Sequence, residues 1–225
     1  VNCVVRAGDG RTAHGFGSMT MGNQWSFPSK TMGYDTTLGA MKALAERINK
    51  ITNACKESGH PIDLNAALEP EYLKAAAEVS RELKLDAPIP KLCTLVTASP
   101  FDAAIHDAFG KLHRRSSYQT YGPDLLPRDL SRYLNADFKG EYLSRYINAR
   151  PVARIPLYHS VGAADPLTAS DIKKRIGDGL PETLPDWIRY NGLTHFKIKL
   201  NGGDVRADIE RLTAIDRVVT EELSK

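Results

Sequence analysis

A chain of 225 residues has room for one large domain or two modest ones. Its 42% hydrophobic and 25% charged content is that of a globular protein. Lys and Arg number 30 against 27 Asp and Glu, an excess too small and too evenly spread to point to nucleic acid or an anionic membrane as partner.

No apolar run approaches the roughly 18 residues of a membrane span, and these residues contain no signal-peptide pattern. Cys3, Cys55 and Cys93 are odd in number and lack C-x-x-C spacing. That argues against a zinc site or a disulfide framework and for a reducing, cytoplasmic setting. The sequence opens at Val1 inside strand-like residues, so preceding residues are expected.

In chain order, NCVVRAGDGRTAHGFGSMTM reads as a β-hairpin turning at Asp9-Gly10. Its glycines do not make a phosphate loop, because no Lys-Ser/Thr follows and no strand feeds a helix there. Residues 24–35 read as a loop carrying Trp25, Phe27 and Tyr34, aromatics suited to filling a domain interface. A helix capped by Asp35, Thr36 or Thr37 follows, with Leu38, Met41, Leu44, Ile48 and Ile51 on one face. A second helix is expected from Pro70 to Leu85, with Leu73, Ala76, Val79 and Leu83 inward.

A third is expected to start at Ser99-Pro100-Phe101-Asp102, where a cap residue, a first-turn proline and an acid coincide. It would bury Phe101, Ile105, Ala108, Phe109 and Leu112 and leave His106 off the stripe. Residues 113–150 read as a polar linker with short helices. After Pro151 the order is strand (ARIPLYHSVG), helical layer (167–192), strand (LTHFKIKL) and helix (GGDVRADIERLTAIDRVVTEEL). This βαβ order belongs to a parallel sheet or barrel. The last helix is expected to bury Val205, Ile209, Leu212, Ile215 and Val219. Asp204 and Asp208 stand at its start, where carboxylates suit the helix dipole.

The stretch HFKIKL carries the chemistry. Strand alternation puts Phe196, Ile198 and Leu200 on one face and His195, Lys197 and Lys199 on the other. Lysines on an edge strand guard against aggregation. Lysines facing a site serve another purpose. A like charge nearby and loss of solvent both favour the neutral amine, so one lysine becomes a base while its neighbour stays cationic and holds an anion. In a β/α barrel, chemistry sits at the C-terminal ends of the strands. Lys197 and Lys199 stand there, just before Asn201-Gly202-Gly203. His159 and Ser160 end the preceding strand and are candidates for substrate contact.

SPFDAAIHDAFGK, the strand IPLYHSVG, the Lys-x-Lys strand and the helix bearing Asp208 together resemble the enolase superfamily. The order is that of its mandelate racemase and muconate-lactonizing branch. The resemblance implies an α+β capping domain over residues 1–150, followed by an incomplete (β/α) barrel over 151–225. It implies Lys199 as the base that takes the proton α to a carboxylate and Lys197 as its electrostatic partner. It also implies a small carboxylate substrate, Mg²⁺ in the full-length protein, and a homo-oligomer. The reaction would be racemisation or epimerisation, sugar-acid dehydration or cycloisomerisation. The family's metal ligands lie on the third to fifth barrel strands, so they are expected beyond Lys225. This stretch alone is expected neither to bind the metal nor to turn over.

Two other readings fit the same residues. One is a non-catalytic α/β module in which the lysines anchor an anion or an assembly contact. The other is a doubly wound nucleotide-binding protein, which suffers from having only Asn201-Gly202-Gly203 as a glycine-rich turn.

Overall fold

The computed structural model describes residues 1–148 and 150–225. The chain divides into two compact units, Val1–Pro151 and Val152–Lys225. Among the described residues it is an α+β fold with six α-helices and two two-stranded sheets, and neither sheet closes into a barrel.

The first unit opens with a hairpin of β1 (Asn2–Arg6) and β2 (Thr12–Phe16), paired from Asn2↔Phe16 to Arg6↔Thr12. Gly10 takes φ +87 in the turn, a conformation that suits glycine. Cys3, Val5, Ala13 and Gly15 form the hairpin's less exposed face. Its partner is helix α4 (Lys91–His113), where the Cys3 thiol donates to the Ala104 carbonyl at 3.1 Å. Contact is close enough to demand glycine. A Cβ on Gly17 would stand 1.9 Å from the Pro100 carbonyl oxygen, and one on Gly15 2.0 Å from that of Ala104.

The loop expected at 24–35 contains a short helix, α1 (Asn23–Ser26). Buried Asn23 donates to the Tyr34 carbonyl and to Thr37 Oγ1. Of the loop aromatics, Phe27 is buried in the unit's own core rather than in an interface, whereas Trp25 and Tyr34 are exposed. Helix α2 (Tyr34–Ala54) is capped by the backbone of Gly33 with no side-chain cap bond. Asp35 instead lies within the first turn, where its charge complements the dipole.

Proline misplaces two expected helix starts. Helix α3 (Pro61–Glu82) begins at Pro61 and runs through Pro70. His60 is its cap, the ring nitrogen Nδ1 accepting from the Ile62 amide at 3.2 Å. Its inward face holds Tyr72, Ala75, Ala76 and Val79, while Leu83 is exposed.

Helix α4 likewise begins at Lys91, not Ser99, because Cys93 and Val96 already bury apolar surface one turn and more ahead. Pro100 has no N–H for the Val96 carbonyl. The hydroxyl of Ser99 donates to that carbonyl at 2.8 Å and restores the bond, so the helix continues. Phe101, Ile105 and Ala108 are buried as expected, with Phe109 and Leu112 half-buried.

The core joins Met41, Leu44 and Ile48 of α2 to Ala76 and Val79 of α3 and Cys93, Val96 and Phe101 of α4. Each fully buried large side chain contributes roughly 1.5–3 kcal/mol relative to exposure. Beyond α4 the chain winds through 3₁₀ turns at Ser117–Thr120, Leu130–Arg132, Ala136–Phe138 and Leu143–Arg145. Residue 149, within the linker read from the sequence, lies outside the described residues.

The second unit pairs β3 (Tyr158–Val161) with β4 (His195–Ile198) in parallel, Tyr158 opposite His195 and Val161 opposite Ile198. The helical layer read over 167–192 condenses to one 3₁₀ turn, Ala169–Asp171, and helix α5 (Leu184–Asn191). Helix α5 ends at Gly192, φ +59. Helix α6 (Val205–Leu223) is capped by Asp204, whose carboxylate accepts from the amides of Arg206 and Ala207.

The stripe read along α6 is only half inward. Ile215 is buried and Val219 packs on the cluster, but Val205 is 75% and Ile209 59% exposed, and Leu212 also faces out. The helix is longer than the two short strands it covers, so its first turns reach past the packed layer.

Candidate functional site

Register decides which side chains meet. In a parallel pair, residues opposite each other share a face. Val161, Phe196 and Ile198 therefore point to the side covered by α5 and α6. They pack there with Leu167, Leu184, Ile188, Leu193 and Ile215. The opposite face carries Tyr158, Ser160, His195 and Lys197. The Lys199 amide donates to the Val161 carbonyl at 2.9 Å, so the ladder runs one step past β4 and Lys199 follows Lys197 in the alternation.

The two lysines and Ser160 thus come together, with Ser160 directly opposite Lys197. The pairing also brings in Tyr158, whose ring centroid lies 6.0 Å from Lys197 Nζ, at the limit of a cation–π contact. The alternation Tyr-His-Ser was a legible signal for Tyr158. His159 does not join them. It is turned to the helix side, its ring 5.5 Å from that of Trp187. Adjacent strand residues alternate in face, so His159 does not share the lysine face, although His159 and Ser160 both line one hollow.

The face is open. Lys197, Lys199 and Ser160 are all exposed. A hollow of about 700 Å³ lies beside His159, Ser160, Asp171, Lys173 and Trp187, and another of about 420 Å³ beside Leu200, Asn201, Asp208 and Arg211. Neither is lined by Lys197 or Lys199. Ammonium groups about 7 Å apart along a strand repel by about 0.6 kcal/mol in water and about 2.4 kcal/mol at an effective dielectric of 20. The pair gains force only where the face is withdrawn from water.

Mg²⁺ does not fit these residues. It takes carboxylate and other hard oxygen ligands, and this face offers a phenol, a hydroxyl, an imidazole and two ammonium groups. Among the described residues no three His, Cys, Asp or Glu side chains gather as a metal site. Asp204 and Asp208, the nearest carboxylates in sequence, are engaged by backbone amides.

The loops beyond the strands are tied to α6. Asp208 accepts from the amides of Asn201 (3.0 Å) and Gly202 (2.9 Å). One terminal nitrogen of Arg211 donates to the carbonyls of Gly162 (2.8 Å) and Asp165 (2.7 Å). Sequence reading placed Asp208 at the helix start without this role and did not single out Arg211. Nothing in its spacing marks it, because its partners are backbone atoms far along the chain.

No family model, curated protein or solved structure matches this chain. No helix among the described residues is long and apolar enough to cross a membrane.

Proposed function

We propose that this chain carries the capping domain and the first two β/α units of an enolase-superfamily enzyme, one that removes the proton α to a carboxylate. The observation that supports it is the shared face of Ser160, Lys197 and, by alternation, Lys199 on a parallel β-pair whose other face is buried under helices. Lys199, last before the loop, is the base. Its neutral amine takes the α-proton, and the electron pair of the broken C–H bond moves into the carboxylate to give an enediolate. Lys197 stays cationic and offsets the charge on the carboxylate oxygens. Ser160 donates a hydrogen bond to the same anion. Reprotonation, or loss of a β-substituent, completes an isomerase or lyase reaction. No step is assigned to a metal, since this face holds none of its ligands.

The test is exchange of the α-hydrogen of 2-hydroxy acids and sugar acids with solvent deuterium, followed by proton NMR with the full-length protein and Mg²⁺, since the stretch alone is expected not to turn over. Exchange abolished by Lys199→Ala and slowed by Lys197→Ala is expected. Exchange at an undiminished rate in Lys199→Ala, or none with any acid, overturns the proposal.

One observation favours a second reading, a non-catalytic anion-binding module: both lysines are exposed with no hollow against them. It requires carboxylates to bind without exchange, with binding weakened equally by either lysine substitution.

A further inference from the structure

The two loops that leave the C-terminal ends of β3 and β4 are both fastened to the same stretch of α6. Asp208 closes on two consecutive amides, Asn201 and Gly202, immediately after Lys199-Leu200. Gly202 takes φ +72 there, so the turn that presents both amides to one carboxylate is one glycine adopts without strain. One helical turn further on, Arg211 reaches the opposite loop and closes on the carbonyls of Gly162 and Asp165.

That second loop is itself folded tightly. The Asp165 carboxylate accepts from the Gly162 amide at 2.6 Å, and a Cβ on Gly162 would stand 2.7 Å from Asp165 Oδ1. Residues Gly162 and Asn201 follow Ser160 and Lys199 by only two positions. Both arms are charge-assisted hydrogen bonds to backbone, about twice the strength of neutral ones.

We propose that Asp208 and Arg211 form a two-armed bracket on α6 that fixes the spacing of these loops and so positions Lys199 and Ser160. They are positioning residues, not catalytic ones. The positioning role rests on the function proposed above; the bracket itself does not. A carboxylate at 208 must accept twice, which an amide side chain does less well, since only its oxygen accepts. Arg211 uses a single nitrogen for both carbonyls, so a lysine ammonium in its place can still donate to them. The bracket therefore makes an asymmetric demand, strict at 208 and tolerant of Lys at 211.

The test has two readouts on the whole chain. Amide hydrogen exchange by NMR is followed at Asn201 and Gly202 for the first arm. For the second, it is followed at the Lys199 amide, which pairs with the Val161 carbonyl just before the Arg211 loop. Asp208→Ala is expected to speed Asn201 and Gly202 exchange about tenfold, the factor for losing an exposed charge-assisted bond, and Asp208→Asn by less. Arg211→Met is expected to speed exchange at Lys199, and Arg211→Lys to restore it.

Substrate α-hydrogen exchange is measured in parallel on the full-length protein, with kcat expected to fall in Asp208→Ala and Arg211→Met and to be recovered in Arg211→Lys. Unchanged amide exchange in both Asp208→Ala and Arg211→Met overturns the bracket. Faster amide exchange with a substrate rate equal to wild type overturns the positioning role. Faster amide exchange in the variants, with a full-length wild type that moves no α-hydrogen, leaves the bracket supported and removes the enzyme reading instead.

Discussion

Acidification from pH 6.5 to 4 is expected to cost the first unit about 3 kcal/mol through one side chain, His60. The ring is 1% exposed and both its nitrogens are committed. Nδ1 accepts from the Ile62 amide, which leaves the proton on Nε2, 3.3 Å from Thr120 Oγ1. A second proton would put a donor against the Ile62 N–H and uncap α3. Burial chiefly, then the nearby His106, push the ring's pKa down from 6.5 to about 4, while Asp63 opposes the shift.

The folded state therefore takes up the proton later than the unfolded chain. Stability is full above 6.5, falls as pH drops towards 4, and levels off below it. At 1.36 kcal/mol per pH unit, the interval from 6.5 to about 4 corresponds to about 3 kcal/mol. The carboxylates held below their usual range, Asp107, Asp124 and Asp129 among them, lose their contribution only at lower pH. Urea melts of wild type and His60→Asn, which keeps a capping oxygen but does not titrate, isolate the effect. Their stabilities should converge by about 3 kcal/mol as pH falls through this window. Parallel lines, or a His60 ring titrating near 6.5 by NMR in the folded protein, would refute the reasoning.

Three further outcomes test the packing. Gly17→Ala should lower stability by about 2 kcal/mol or more in urea melts, since its Cβ would meet the Pro100 backbone at 1.9 Å. Gly39→Ala, within α2 and with nothing near its Cβ, should instead raise stability by about 0.5–1 kcal/mol through helix propensity. Asp204→Ala removes the carboxylate that caps α6 and should cost about 1 kcal/mol, read as lost helicity by circular dichroism.

Local chemistry was legible where short range decides. Asp9-Gly10 announced the hairpin, and the period-two pattern of HFKIKL announced which side chains share a face. Prolines misled, because the same residue that favours a first turn is tolerated in mid-helix when a neighbour repairs the bond. Ser99 does so at Pro100, and its hydroxyl bond to Val96 is invisible in a count of cap residues.

Burial along α6 was misread, and the side taken by His159 went unread, for a different reason. Both depend on what lies opposite, and that is set by sheet register and helix length rather than by periodicity. Of the candidate site, the face was readable and its enclosure was not. The ties from Asp208 and Arg211 run to backbone groups that carry no signature in sequence.

Helix α4 touches both hairpin strands, α1, α2, α3 and the 3₁₀ turn at Ser117–Thr120. A spine shared so widely leaves the first unit little scope for piecemeal opening, since peeling off the hairpin bares Ala104 and Ala108, and displacing α2 or α3 bares Cys93 and Val96. Protease entry among the helices and hairpin of this unit should track its global unfolding.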